Sequence, residues 1–510
     1  MHETAGSPSR PLSIVGLALF LLSPAVAAEP IDAETNARIR QAASAAQLMS
    51  IAHTLTDRFG PRLTGSPAHE AAARWAVENL RSWGFANARA EPWDFGHPGW
   101  TNESASAYLL EPARAPLAIQ VQPWSPSTAG RIAAAAVQLV PPEYPTREAL
   151  ESWLGANLGG IRGKIVLAGR AAVIPVIAPP ASADPPRWTT EEVLQQLDPA
   201  TARRPRPTVP LPPRGAMAPA EASGLIDHAL VSAGALLRIF DAATDGSVLP
   251  SLAPHTEPAF DQGLPAVILR NSDYGRIERL LQNGAPVRLE FEIVNRLHAQ
   301  GRTSYNVFAD IPGAVKPTEI VMGAEHLDSW GGGTGATDDA VGCAMVMEAA
   351  RILRQLPSPP KRTIRFALWS GEELGELGSK AWVAARQAEP GGLRDIIVHL
   401  ETDMGAGRAR SAQVGGPPQN VEIVRAALAP FADLGLVGAR RSGPSNDNVP
   451  FELAGVPVIR FGTDRLEGLA TYHNTRDTYD RLVPEDAVQR TIVTAGLLWH
   501  IANREEGLPR

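Results

Sequence analysis

The sequence contains a single cysteine, Cys343, so no disulfide bond can form within the chain. Aromatic residues are also few, at 6%, although the hydrophobic content of 44% is ample for buried cores. The formal net charge of -7 gives no basic footprint, which argues against nucleic acid or an anionic membrane as the main partner. At 510 residues the chain exceeds what one core usually serves. These features indicate a globular, acidic protein with more than one domain.

Residues 1–28 are typical of a secretory signal peptide. A short segment ending at Arg10 precedes an apolar run from Leu12 to Leu22, and small residues follow around Ala27. The run is too short for a membrane anchor, and the small residues suit a cleavage site. We therefore expect a secreted or periplasmic protein without stable membrane insertion after cleavage.

The next two segments differ in pattern. Residues 29–104 are mainly helical, with Ser66 placed as an N-cap ahead of Pro67 at the first helical position. Residues 105–300 carry short strand patterns between turn signals and predict a separate, β-rich insert. Proline is concentrated in residues 172–215, which predicts an irregular excursion within this insert.

Residues 301–510 predict an α/β domain with a mixed, mostly parallel sheet. Continuous apolar strands alternate with helical patterns, as in a sheet that helices cover on both faces. The predicted strands are 319–325, 363–370, 396–403 and 456–462, and the predicted helices are 340–356, 378–386 and a last one after 484.

Acidic and imidazole side chains follow the ends of these strands. The segments are GAEHLDSW, WSGEELGELGS and HLETDMG, and the segments TDDA and TYHNTRDTYDRL add to them. The carboxyl ends of strands in an open α/β sheet border one crevice, so residues far apart in sequence should share a cleft. The side chains concerned are His326, Asp328, Asp338, Glu372, Glu373, Asp403 and His473.

This concentration of carboxylates predicts a divalent metal centre. So many negative charges in a cleft of low dielectric constant repel one another unless cations neutralise them. Oxygen and imidazole ligands without thiolate suit zinc, and also manganese or cobalt, whereas two histidines disfavour calcium and magnesium. The ligands are too many for one open tetrahedral ion but suit two ions that share a bridging carboxylate.

The ordered motifs resemble those of the co-catalytic dizinc aminopeptidase family, a family of metallopeptidases. They are H-x-D, D-[DN]-x-x-G, E-E-x-G-x-x-G-S, an aspartate near a strand end, and Y-H-x-x-x-D-T. Within the family the chain resembles the carboxypeptidase Q branch, whose protease-associated insert corresponds to residues 105–300. The resemblance implies a three-layer α/β/α zinc-exopeptidase domain.

The family pattern also implies the ligands of two zinc ions. His326, Asp338 and Asp403 would hold one ion, and Asp338, Glu373 and His473 would hold the other. Asp338 would then bridge the two ions, with manganese or cobalt as substitutes for zinc.

The same resemblance implies the catalytic groups. Glu372 matches the general base, which takes a proton from the attacking water and passes it to the leaving amine. Asp328 matches a carboxylate that orients His326, and Tyr472 matches a tyrosine that hydrogen-bonds the oxyanion. Glu376 departs from the family, which has a glycine or an apolar residue at this position.

The sequence therefore predicts a secreted dizinc metallo-exopeptidase that acts on short peptides or dipeptides. The acidic cleft suits an α-amine, which favours aminopeptidase or dipeptidase action over carboxypeptidase action. Two alternatives are a receptor-like binding protein of the same fold and an acyltransferase like the glutaminyl cyclases, which use one zinc. The complete ligand set disfavours the first, and the pair His326 and Asp403 disfavours the second. A homodimer is compatible with the sequence.

Overall fold

The computed structural model describes residues 32–174, 187–198, 213–244, 249–250, 263–403, 405–464, 466 and 468–510. The signal peptide expected at residues 1–28 lies outside these ranges, as does most of the Pro-rich segment 172–215. Within them, no helix combines the length and the apolar character needed to cross a bilayer.

Many of the helices begin at caps that the sequence supplies. Ser44, Ser66 and Thr146 each accept a hydrogen bond from a backbone N–H of the first turn. The predicted N-cap Ser66 with Pro67 at the first helical position is confirmed. The described α-helices are α1 (Ala33–Ala42), α2 (Ala45–His53), α3 (Pro67–Ser82), α4 (Arg147–Asn157), α5 (Thr190–Leu197), α6 (Pro219–Ala233), α7 (Asn271–Gln282), α8 (Val341–Arg354), α9 (Leu377–Gln387), α10 (Gln419–Leu428), α11 (Asn448–Leu453), α12 (Gly468–Thr471) and α13 (Pro484–Asn503).

The described strands form two separate sheets. They are β1 (Arg89–Asp94), β2 (Gly99–Glu111), β3 (Ala115–Pro116), β4 (Ile119–Val121), β5 (Ile132–Leu139), β6 (Ile165–Ala168), β7 (Leu237–Asp241), β8 (Ala266–Leu269), β9 (Arg288–His298), β10 (Thr303–Ile311), β11 (Lys316–His326), β12 (Arg362–Trp369), β13 (Ile396–Glu401), β14 (Ala409–Val414), β15 (Gly438–Arg441) and β16 (Val458–Thr463).

The first sheet has the strand order β1-β10-β12-β11-β13-β16-β14-β15. Strand β11 is parallel to β12 and β13, and β13 is parallel to β16, whereas β1, β10 and β14 introduce antiparallel pairs. Helices α2, α3, α8 and α13 pack on one face, and α9 and α11 pack on the other. The predicted three-layer α/β/α domain with a mixed sheet is confirmed.

The central strands agree with the sequence prediction, but several flanking strands were missed. Strands β11, β12, β13 and β16 overlap the predicted strands. Strands β1, β10, β14 and β15 were not predicted, and β1 interrupts the segment expected to be mainly helical. The central strands are buried on both faces and read as continuous apolar runs, whereas ARSAQV of β14 mixes small and polar residues.

The second sheet belongs to the expected insert and has the order β3-β2-β9-β5-β6-β7-β8-β4. Strands β5 to β8 are parallel, and the outer strands pair antiparallel. Helix α7 covers one face, and α4 and α6 cover the other. The insert is therefore rich in strands but also carries helices on both faces of its parallel part.

The backbone segments around Gly65, Gly99 and Gly301 meet where the two sheets join. Strands β1 and β10 pair in the first sheet, while β2 and β9, which are continuous with them along the chain, pair in the second. A Cβ added to Gly99 would lie 1.8 Å from Gly65 O, and one added to Gly301 would lie 2.1 Å from the same oxygen. Only glycine allows these backbones to approach so closely.

A side chain at this crossing should therefore destabilise the protein. We expect Gly99→Ala to lower the free energy of unfolding by about 1–3 kcal/mol, because the added methyl group forces backbone shifts. The matched control is Gly155→Ala in α4, where no atom lies within 4 Å of the added Cβ. This control should gain about 0.5–1 kcal/mol from helix propensity. Thermal unfolding midpoints measure both effects, and an unchanged midpoint for Gly99→Ala would contradict the close crossing.

His399 of β13 is buried as a neutral imidazole. Trp369 Nε1–H can only donate, and it donates to His399 Nε2 at 3.1 Å. His399 Nδ1–H therefore donates to Asn448 Oδ1 at 2.9 Å. The ring also stacks on Phe451, with 3.9 Å between centroids. Burial lowers the pKa of His399 to about 4, because a charged ring would lose its hydration and the bond from Trp369.

Buried neutral histidines should make the protein sensitive to mild acid. Burial lowers the pKa of His399 and of His69 from 6.5 to about 4, so the folded state binds fewer protons than the unfolded state in this window. The two neutral histidines contribute fully to the free energy of unfolding above pH 6.5, and this contribution is lost as the pH falls towards 4. Chemical denaturation across this range should show less pH dependence for His399→Gln than for wild type. The exposed His53→Gln should behave as wild type, and equal slopes in all three proteins would refute the assignment.

Candidate metal centre

The predicted ligands lie beyond the carboxyl ends of three adjacent strands. His326 is the last residue of β11, and Asp403 follows the end of β13. Glu372 and Glu373 follow β12 on the other side of β11. The sheet order thus explains how residues distant in sequence come together, because parallel strands end at the same edge.

Asp338 lies between the two histidines. Its Oδ1 is 3.2 Å from His326 Nε2, and its Oδ2 is 3.2 Å from His473 Nε2. His326 Nε2 is also 3.3 Å from Asp403 Oδ1, and His473 Nε2 is 3.0 Å from Glu373 Oε2. Each histidine is therefore grouped with its own terminal carboxylate and shares Asp338 with the other.

Potential ligand atoms are close enough to hold metal ions. Those of His326, Asp338 and Glu373 lie within 4.8 Å of one another, and so do those of His326, Glu372 and Asp403. Imidazole nitrogen and carboxylate oxygen are ligands that zinc, manganese and cobalt accept. Both groups include His326, and each fits a metal ion.

The charges of this cluster favour bound cations. Burial and the charge of Asp338 raise the pKa of Glu373 to about 8, and burial raises the pKa of Glu372 well above its ordinary value. Burial opposes the charge on His473, but Asp338 and Glu373 raise the pKa of this histidine to about 10. When no cation is bound, protons on these side chains thus offset part of the repulsion between the buried carboxylates. Divalent cations could replace these protons, so the donor set fits metal.

Two of the expected ligands have a left-handed backbone. Asp403 has φ 47° and His473 has φ 50°, a region that residues other than glycine seldom occupy. The backbone N–H of Asp403 donates to Glu325 Oε2 at 2.8 Å, which supports this conformation. Such conformations cost free energy and concentrate at functional sites.

Asp328 is placed to orient two neighbours. Its backbone oxygen lies 3.0 Å from His326 Nδ1, which leaves Nε2 to face the carboxylates. One side-chain oxygen accepts from the backbone N–H of Glu372 at 3.2 Å, and the other accepts from Thr64 Oγ1 at 2.7 Å. The side chain of Asp328 is completely buried, so these contacts fix it firmly. The hydrogen bond that orients His326 thus comes from the backbone oxygen of Asp328, whereas the carboxylate expected in this role lies 3.7 Å from Nδ1.

The motif around the two glutamates folds as a tight turn between β12 and α9. Gly375 has φ 99°, and its N–H donates to Glu372 O at 2.8 Å. A Cβ on Gly378 would lie 2.2 Å from Ser370 O, so this position also requires glycine. Glu376 has φ 55° at the N-cap of α9, a left-handed conformation that glycine adopts most readily.

Asp447 connects two of the motifs from beneath the site. It is fully buried, and its Oδ1 accepts a hydrogen bond from Ser379 Oγ at the end of E-E-x-G-x-x-G-S. Burial raises the pKa of Asp447 to about 7. The preceding residue, Asn446, donates to Asp403 Oδ2. The segment SNDNVPF therefore contacts both the candidate ligand Asp403 and the glutamate turn.

Part of the chain matches a known protein family. Residues 306–497, which carry the candidate ligands, match the pattern of Peptidase family M28. Carboxypeptidase Q of Mus musculus is 25% identical over 461 residues, which are 89% of this chain and 86% of the relative. The resemblance to the carboxypeptidase Q branch of metallopeptidases is therefore confirmed, as is the prediction of a metallopeptidase enzyme.

Solved structures agree with this match. A Peptidase M28 precursor from Shewanella amazonensis superposes with a TM-score of 0.67 at 26% identity, covering 94% of this chain and 98% of its own. The zinc aminopeptidase BSAP from Bacillus subtilis shares the fold, with a TM-score of 0.59 at 19% identity, and covers 91% of this chain and 97% of its own.

Arg62 is a buried residue whose role was not predicted from the sequence. Its guanidinium donates to Leu327 O at 2.7 Å and to Thr334 O and Gly335 O at 2.9 Å. These oxygens belong to the loop between His326 and Asp338, which Arg62 therefore shapes. The sequence around Arg62, FGPRLTGSP, contains no local pattern that predicts these contacts.

Asp477, the aspartate of Y-H-x-x-x-D-T, holds the residues around the shared ligand. Its Oδ1 accepts from the backbone N–H of Thr337 at 2.6 Å and from Thr337 Oγ1 at 2.8 Å. Its Oδ2 accepts from the backbone N–H of Asp338 at 3.2 Å. The motif thus combines a ligand candidate, His473, with a residue that positions the opposite loop.

The insert also contacts the segment that carries His473. Leu249 and Thr475 exchange hydrogen bonds: Thr475 N–H donates to Leu249 O at 3.1 Å, and Leu249 N–H donates to Thr475 Oγ1 at 3.1 Å. Pro250 and Asn474 form an antiparallel bridge beside them. Because Leu249 packs on the insert, the two parts of the chain meet directly next to the site.

Loss of the Asp477 carboxylate should weaken metal binding. Asp477→Asn replaces one acceptor oxygen by a donor and so disrupts the bonds from the 337–338 segment. We expect zinc affinity to fall about 10- to 100-fold, as for other residues that orient ligands. Competition with a fluorescent chelator measures the affinity. The control Asp480→Asn alters an exposed side chain nearby, and equal affinity of both variants would contradict the positioning role.

Proposed function

We propose that this protein is a dizinc exopeptidase that removes terminal residues from short peptides or dipeptides. The observation that carries the proposal is the place of Asp338, whose two oxygens each lie 3.2 Å from a different histidine nitrogen. A carboxylate shared in this way suits two ions that act together. The zinc aminopeptidase with the same fold and the carboxypeptidase Q relatives support an enzyme that acts at peptide termini.

The two ions would have distinct ligand sets. His326, Asp338 and Asp403 would hold one zinc, and Asp338, Glu373 and His473 would hold the other, with manganese or cobalt as substitutes. When bound, zinc supplies Lewis acidity to the substrate carbonyl and acidifies the attacking water. The chain's own part is to fix the ligand orientations through Asp328, which contacts His326, and through the network beneath Asp403.

Glu372 is the group best placed to move protons. Its carboxylate lies within 4.8 Å of ligand atoms of His326 and Asp403, and its backbone N–H donates to Asp328. The ligand sets proposed for the two ions do not include it. Burial raises its pKa well above the ordinary value, so the group readily holds a proton between two steps. Glu372 would accept a proton from water and deliver it to the amine that leaves.

Tyr472 borders the opening of the site. Its ring stacks on that of His473, with 3.6 Å between centroids, and 44% of the residue is exposed. The phenol can therefore reach a bound substrate while the ring steadies the histidine. A tyrosine here would donate a hydrogen bond to the oxyanion that forms during hydrolysis.

Amino-terminal selection follows from the charge of the cleft. The acidic side chains around the ligands would attract a protonated α-amine, which favours aminopeptidase or dipeptidase action. Export to a secreted or periplasmic location follows from the signal peptide expected at residues 1–28. A homodimer stays a prediction.

Glu372→Gln tests the proposed reaction. The substitution removes the proton acceptor but keeps the shape, so we expect kcat on leucine p-nitroanilide or on dipeptides to fall about 10²- to 10⁴-fold. Bound zinc, measured by atomic emission, should not change. Glu376→Gln is the matched control, because Glu376 lies in the same turn and pairs with Lys380 on the surface. A wild-type protein loaded with zinc that hydrolyses none of these substrates would overturn the proposal.

A further inference from the structure

Trp330 contacts the two proposed ligands, Glu373 and His473, that belong to one zinc ion only. Its backbone N–H donates to Glu373 Oε1 at 3.3 Å, and its ring meets the ring of His473 edge to face, with 6.2 Å between centroids. The indole is buried in the hydrophobic cluster that lies mainly on the second sheet and includes Phe291 and Ile293. Trp330 therefore links these two ligands to the core of the expected insert.

Two neighbouring residues also border the second sheet. Leu374, which follows Glu373 in the chain, is buried in the same hydrophobic cluster as Trp330. A Cβ added to Gly331 would lie 3.8 Å from Gln120 Nε2 in β4. The glutamate turn and the loop after β11 thus both pack against the insert.

The backbone of the insert holds the segment that carries His473. Two hydrogen bonds of 3.1 Å join Leu249 to Thr475, two residues beyond His473. Leu249 is itself buried against Ala242 and Ile268, at the ends of β7 and β8. A displacement of the insert would therefore move His473 as well as the glutamate turn.

The ligands of the other proposed ion are supported by the α/β/α domain. Leu327, which follows His326, is buried in the main core of that domain. The backbone N–H of Asp403 donates to Glu325 Oε2 at 2.8 Å, and the side chain of Asn446 donates to Asp403 Oδ2. All of these supporting groups belong to the first sheet or to the segments beside it.

We propose that the insert sets the occupancy of one metal ion of the pair, the ion held by Asp338, Glu373 and His473. Three separate contacts couple the insert to this ion's own ligands, whereas the other ion depends on the α/β/α domain. Residues that hold ligands in position control metal affinity through the orientation of those ligands. The inference rests on the proposed dizinc function and gives the insert a positioning role in it.

Variants that retain only one proposed ion separate the two sites. Asp403→Asn removes a ligand that one ion alone uses, and Glu373→Gln removes a ligand that the other ion alone uses. Thr475→Val is then added to each, because it deletes the hydroxyl that accepts from Leu249 N–H and nearly keeps the shape of the side chain. We expect zinc affinity, measured by competition with a fluorescent chelator, to fall about 10-fold or more in Asp403→Asn and to stay unchanged in Glu373→Gln.

Matched variants distinguish positioning from a general loss of stability. Thr475→Ser keeps the hydroxyl and should retain the affinity, as should Thr478→Val, which removes an exposed hydroxyl from the same segment. Leu374→Ala should repeat the effect of Thr475→Val by weakening the hydrophobic contact. Leu289→Ala opens a cavity in the same cluster but on β9, which carries no proposed ligand, so it should lower the thermal unfolding midpoint without weakening either ion.

The failure of this inference differs from the failure of the proposed function. A wild-type protein that binds a single zinc ion would overturn the dizinc centre and the inference together. Two bound ions in the wild type, with an equal loss of affinity in both single-ion variants or with no loss in either, would leave the dizinc centre intact and overturn the role of the insert.

Discussion

The repulsion among buried carboxylates at one edge of the first sheet is the constraint that governs this molecule. Asp338, Glu373 and Asp403 share a small volume with Glu372, and each loses hydration there. Protonated histidines balance only part of the charge, as the pKa of about 10 for His473 indicates. Such a cluster is stable in its charged form when divalent cations occupy it. The fold around it can be understood as the structure that holds these groups together.

Much of that structure consists of residues that do not face the metals. Arg62 forms hydrogen bonds with the loop after His326, and Asp477 accepts hydrogen bonds from the segment before Asp338. Asp447 of the SNDNVPF segment accepts a hydrogen bond from the end of the glutamate turn. Glycines at the turn and at the crossing of the sheets allow close backbone approach. The insert adds Leu249 beside His473. Ligand geometry is therefore a property of several loops that support one another.

The sequence predicted the parts whose signals are local. Continuous apolar runs marked the parallel strands, and the charged residues just after them marked the candidate ligands, which the structure brings to one edge of the sheet. Other features depend on register between distant segments. Strand β14 has no apolar run. The side chains of Arg440, Gln413 and Arg460 lie next to one another only because three strands align in register. The contacts of Arg62 likewise join residues separated by more than two hundred positions, as the spacing of 265 to Leu327 shows.

The most direct test of the account is the number of zinc ions bound to each chain, measured by native mass spectrometry on protein that has been stripped and reloaded. The two ligand sets proposed above share Asp338, so we expect two zinc ions in the wild type and the loss of at least one in Asp338→Asn. One zinc ion in the wild type, or two that persist in Asp338→Asn, would contradict the central claim that this carboxylate joins two metal sites.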